Sequence, residues 1–144
     1  MANVFDVARY ILRKQGPMST AKLQKLVYYS QAWSLVWDEK PLFREKIQAW
    51  ANGPVIPTLF REHQGRFNVN ADCFPQGKVK NLNKDQKETI DSILSVYGKK
   101  SAQWLIDLTH LEDPWKNARE DCKPGEKCTN EITQGAMYEY YSSL

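Results

Sequence analysis

The chain has 144 residues, a formal net charge of +3, 42% hydrophobic and 26% charged side chains. A length of that order suits a single domain, 1–144, able to bury a core without metal or disulfide scaffolding. The mild positive charge is dispersed among acids, which is not the pattern of a polycation built for nucleic acid, and no apolar run approaches the roughly 20 residues of a membrane span.

The opening "MANVFDVARYILRK" repeats Val4, Ala8, Ile11 and Leu12 at helical spacing. It carries Asp6 and lacks a small-residue cleavage site, so it reads as a helix over 3–15 rather than a secretion signal. Gly16-Pro17 ends it. Ser19 or Thr20 then caps a second helix reaching Trp37. From Leu26 onward that helix is apolar or aromatic on most faces, which predicts a central, buried position. Lys25, Tyr28 and Gln31 form a polar seam along it. Ile47–Trp50 reads as a short strand, Asn52-Gly53 as a turn, and Pro57 as the start of a helix running to about His63. Residues 64–82 read as a connection, with a short strand at Lys78–Asn81 available to pair with Ile47–Trp50.

Asn83 with Gln86 three positions on is a capping-box variant that opens a helix buried through Ile90, Ile93, Leu94 and Tyr97. Ser101 caps the next, whose Trp104, Leu105, Leu108 and Leu111 are expected to face inward. Asp113-Pro114 starts a short helix carrying Trp115. Ile132 and Met137 flank Thr133 at the start of a last helix that ends in Tyr138, Tyr140 and Tyr141. The fold class that follows is mainly α: a compact domain of six to seven helices around the aromatic-rich helix 19–37, with at most one small β-hairpin.

Little in this inventory suits catalysis. His63, Cys73, His110, Cys122 and Cys128 show no CxxC or HxxxH spacing, so no metal site is expected. The odd cysteine count and a cytoplasmic reading favour three thiols over a disulfide. There is no serine elbow, phosphate loop or dinucleotide-binding glycine pattern. The expectation is no enzyme, no cofactor and no catalytic residue. "YILRKQGPMSTAKLQKLVYY" has a helix-turn-helix outline that would place Lys22, Gln24 and Lys25 at the start of a recognition helix. The apolar continuation of that helix is better explained by burial, which leaves a DNA-binding regulator as the alternative reading.

Three blocks carry a resemblance: "LQKLVYYSQAW" (Leu23–Trp33), "AWANGPVIPTLFREHQG" (Ala49–Gly65) and "LTHLEDPWKNAR" (Leu108–Arg119). In this order and at similar spacing they resemble the Panacea antitoxin domain, also called the SocA-like antitoxin domain or GepA-type phage-associated protein. On this sequence the motif residues are Trp50, Gly53, Pro54, Val55, Pro57, Thr109 and Trp115. The resemblance implies a bacterial or prophage antitoxin of a type II toxin–antitoxin pair that binds and neutralises a cognate protein toxin. One family member instead delivers its toxin to a cytoplasmic protease, so such a protease is a further implied partner. Large aromatic or arginine side chains left exposed would anchor a toxin, and Tyr28, Trp37, Arg61 and His63 are the candidates. Lys25, Gln31 and His110 are expected to form one buried polar network that fixes the helices.

Overall fold

The computed structural model describes residues 2–144. Asn3 caps α1 (Val4–Gln15) by accepting from the Phe5 and Asp6 amides, and Asp6 returns the bond to the Asn3 amide. β1 (Met18–Ser19) leads into α2 (Thr20–Trp37), capped by the Ser19 hydroxyl. β2 (Ile47–Trp50) and β3 (Gly53–Val55) form a hairpin, followed by α3 (Pro57–His63) with Pro57 in its first turn. β4 (Asn68–Val69) pairs back with β1. After two single 3-10 turns come α4 (Lys84–Tyr97), α5 (Ala102–Leu111), α6 (Asp113–Ala118), β5 (Glu131–Ile132) and α7 (Gln134–Ser142).

Helix α2 is the axis of this mainly α fold, touching α1, α4, α5, α7, β1 and β3. Because neighbours cover every side of it, Leu23 to Ala32 are all buried, including Gln24, Lys25, Ser30 and Gln31. Polar groups so enclosed must find partners within the chain or remain unsatisfied. Gln31 reaches the loop before β2, accepting from the Leu42 and Phe43 amides and donating to the Phe43 carbonyl.

Several expectations are corrected. The expected strand at Lys78–Asn81 is a 3-10 turn over Val79–Asn81, held by the buried Asp6 carboxylate, which accepts from the Lys78 amide and the Asn81 side chain. The third strand of the sheet is instead β5, with Ile47 opposite Ile132 and Gln48 opposite Glu131. In α5 only Leu105 of the four apolar residues is fully buried; Trp104 is 42% and Leu111 73% exposed. Their shared stripe faces away from α2 because Leu105 and Thr109 occupy the inward side. Cys122 and Cys128 are bonded to each other, not free thiols, with Cα atoms 6.1 Å apart. The loop between them doubles back at Gly125, whose φ of 75° suits glycine.

Candidate functional site

A hollow of about 470 Å³ opens between the N-terminal half of α2, the β2–β3 hairpin, α3 and the Gly125–Cys128 loop. Trp50, Val55 and Phe60 supply apolar walls, and the Trp50 and Phe60 rings meet edge to face at 4.8 Å. The hairpin can lie this close to α2 because residue 53 is glycine. Its φ is 116°, and a Cβ there would sit 2.6 Å from Lys25 Cε and 3.0 Å from Thr109 Oγ1.

The polar groups of α2 facing this hollow divide sharply. Gln24 is fully committed: its oxygen accepts from the Ile56 amide at 2.9 Å, and its nitrogen donates to the Ile56 carbonyl and to His63 Nε2 at 3.0 Å. With Nε2 accepting, the neutral His63 ring carries its proton on Nδ1. Burial, reinforced by the Lys25 charge, holds its pKa below the ordinary value and keeps the ring neutral. Lys25 is different. It is 2% exposed, lines the hollow, and has no hydrogen-bond acceptor or carboxylate partner among the described residues. Desolvation lowers its pKa to about 8.

Behind the hairpin the third sequence block forms a clasp. Trp115 donates its indole N–H to the Trp50 carbonyl at 2.8 Å. His110 stacks on Trp115 with centroids 4.0 Å apart, and His110 Nε2 is buried without a partner. Arg119 is 6% exposed and gathers three carbonyls, those of Ala49 (2.9 Å), Lys123 (3.2 Å) and Glu126 (2.6 Å), while lying over the Trp115 ring. One guanidinium thus fixes both the strand and the disulfide loop that rims the hollow. The arginine escaped the sequence reading. The signal available was its i+4 spacing from Trp115, which lets a cation cover an aromatic face.

A second buried cluster ties α7 to α2. Glu112 accepts from the hydroxyls of Tyr29 (2.6 Å) and Tyr141 (2.8 Å). Since the Tyr141 proton goes to Glu112, Tyr28 donates to the Tyr141 oxygen at 3.0 Å. Burial raises the pKa of Glu112 against the opposing effect of these two hydroxyls.

The sequence candidates therefore scatter. Lys25, His63, Trp50 and Val55 converge on the hollow; Lys25 and Thr109 both lie against Gly53, with Pro54 buried in β3 and Pro57 opening α3. The single network of Lys25, Gln31 and His110 does not form, because six residues along α2 carry Gln31 to a different loop and His110 turns onto Trp115. Tyr28 is 1% and His63 3% exposed, each bonded inside the core, which removes both as surface contacts for a partner. Trp37 remains 50% exposed, its ring tilted 32° against that of Trp33 with centroids 5.2 Å apart, and Arg61 is exposed on α3. The helix-turn-helix alternative loses its readers: Gln24 and Lys25 are buried, and Lys22 donates to the Gly98 carbonyl at 2.6 Å. Among the described residues no three His, Cys, Asp or Glu side chains converge as metal ligands, and no helix is long and apolar enough to cross a membrane.

Comparison with known proteins places the three blocks in context. The family described as "Antitoxin SocA-like, Panacea domain" matches residues 23–116, a stretch that includes α2, the hairpin and Trp115. A curated protein of Caulobacter vibrioides (strain NA1000 / CB15N), described as "Antitoxin SocA", is 28% identical over 125 residues. That alignment covers 76% of this chain, and the chain spans 66% of the relative's length. No solved structure matches the chain.

Proposed function

Because the chain belongs to the SocA-like Panacea antitoxin family, we propose that it neutralises a cognate protein toxin in the cytoplasm by direct protein–protein contact, as one half of a type II toxin–antitoxin pair. The observation that carries this reading is the family match over residues 23–116. The same reading makes the chain a binding protein and not an enzyme. Neutralisation by contact needs a rigid body with anchors at its surface, since a preorganised surface loses less entropy on association. Trp37, half exposed and braced by Trp33, is such an anchor, and Arg61 is held by a bond to Thr58 Oγ1 at 3.2 Å. These two are the toxin contacts to test first.

The direct experiment is co-expression with the product of the adjacent reading frame. The expected outcome is a neighbour that arrests growth alone, is harmless with this chain, and co-purifies with it. Trp37→Ala and Arg61→Ala should each weaken the complex by about tenfold or more if they are hot spots. Toxin half-life separates two modes of action: an unchanged half-life means occlusion, whereas a shortened one means delivery to a cytoplasmic protease. A neighbour that is harmless alone, or that never binds, would sink the proposal.

A further inference from the structure

We propose that the hollow beside Lys25 is a binding site for a small organic carboxylate with an apolar body, anchored by an ion pair to the Lys25 ammonium. The site goes beyond the toxin-contact reading and does not depend on it, resting only on where this chain's side chains lie.

Charge selects the head group. Lys25 and the rim residue Lys127 line the hollow, and no lining residue is acidic. The polar side chains packed around it are engaged elsewhere, Gln24 with Ile56 and His63, and the Thr109 hydroxyl with the Ile106 carbonyl at 2.7 Å, while the unpartnered His110 Nε2 lies against Trp115. The ammonium is left with no acceptor of its own, in surroundings that strengthen any ion pair formed there. Although burial lowers its proton affinity, a value of about 8 keeps it mainly charged at neutral pH. A single buried cation matches a monoanion.

The walls select the rest of the ligand. Trp50, Val55 and Phe60 offer apolar surface in place of hydration, which disfavours a compact, strongly hydrated anion such as phosphate. A volume of about 470 Å³ falls within the range of small-molecule pockets. Lys25 is also recessed to 2% exposure, out of reach of a flat protein surface, so an occupant has to enter. The Trp50–Pro57 turn then has a task beyond folding: it forms one wall, while Gly53 lets that wall approach Lys25 without a Cβ between them.

Binding of benzoate, phenylacetate and hexanoate to the purified full chain, followed by calorimetry and by amide chemical shifts, tests this directly. At least one acid should bind and shift the amides of 24–25, 50–53 and 55–56. Phenylacetamide should bind about tenfold or more weakly than phenylacetate, and inorganic phosphate should not compete, as expected when a charge-assisted bond and apolar contacts both contribute. Lys25→Met should lose the acid by a similar factor. Ala21→Leu narrows the mouth and leaves Lys25 in place, so it should also block binding; it serves if the first variant fails to fold. The assignment is overturned if none of the three acids binds, if acid and amide bind equally, or if Lys25→Met binds as well as the parent. It is also overturned if the free acids fail while Lys25→Met abolishes toxin capture, since the carboxylate would then belong to the partner protein.

Discussion

At Lys25 the chain buries an ammonium without a counter-ion, and desolvation moves its pKa from 10.5 to about 8. The folded state therefore gives up this proton more readily than the unfolded state. Between about pH 8 and 10.5 the unfolded chain binds more protons, so this residue's contribution to stability improves as pH rises through that window and is least favourable below it. The shift corresponds to a cost of about 3 kcal/mol at neutral pH. Lys25→Met, similar in length and uncharged, should stabilise the protein by about 1–3 kcal/mol at pH 7 in urea titrations. The advantage should shrink towards pH 10.5, and equal or lower stability at pH 7 would contradict the account. A buried cation that opposes folding and has no hydrogen-bond or ion-pair partner of its own points to a role outside the fold. Gly53 shows the opposite relation. Gly53→Ala puts a Cβ against Lys25 Cε on a backbone at φ 116°, and should lose on the order of 1–3 kcal/mol in thermal or urea melts.

Two elements at the scale of loops and helices are each tied to the body by a buried polar anchor. Arg119 holds the Cys122–Cys128 loop and β2 together through three carbonyls. Arg119→Met would keep the stem over Trp115 but remove the donor to the Ala49 and Glu126 carbonyls, leaving Lys123 only its bond from the Glu126 amide, for an expected loss on the order of 2–3 kcal/mol. Amide exchange should quicken at 122–128, whereas unchanged exchange there would show that the disulfide holds the loop alone. Helix α7, packed on α2 through Met137 and the Tyr141 ring, is also tied by the Tyr141 hydroxyl, which links Tyr28 to Glu112. Tyr141→Phe strands one hydroxyl and half-strips a buried carboxylate, with an expected cost of about 1–3 kcal/mol by denaturant melt. Caps such as Asn83 and Ser101, and the choice of Ser19 or Thr20 that the structure settles on Ser19, were legible in the sequence because a cap acts within three positions along the chain. The partners of Glu112 and Arg119 were not, because nothing local distinguishes an exposed glutamate or arginine from one that the fold encloses.

Over the whole molecule, the six to seven helices could be read from apolar spacing together with caps and Pro/Gly breaks, and the centrality of α2 from its apolar coverage. The hollow could not. It needs α2, the hairpin, α3 and the disulfide loop at once, and its residues are polar, aromatic and aliphatic by turns, without a period. The polar seam of Lys25, Tyr28 and Gln31 misled for the same reason: spacing along a helix gives direction but not what waits on the other side. Amide exchange offers a global check. With neighbours on every side, Leu23–Ala32 should exchange slowest, near the rate of global unfolding, and the 120–128 loop fastest of the ordered turns. Comparable protection in both regions would contradict the central role of α2.

The pairing of β2 with β5 joins Ile47 to Ile132, residues far apart along the backbone. On a ribosome the hairpin therefore emerges long before its third strand, and the same delay separates Tyr28 from Tyr141. Such distant closures raise contact order and slow folding. The nascent chain passes through an interval in which one side of α2 is bare, so the competent state arrives only when Glu131 to Tyr141 have been released. Any partner that needs the finished surface has to wait for that last segment.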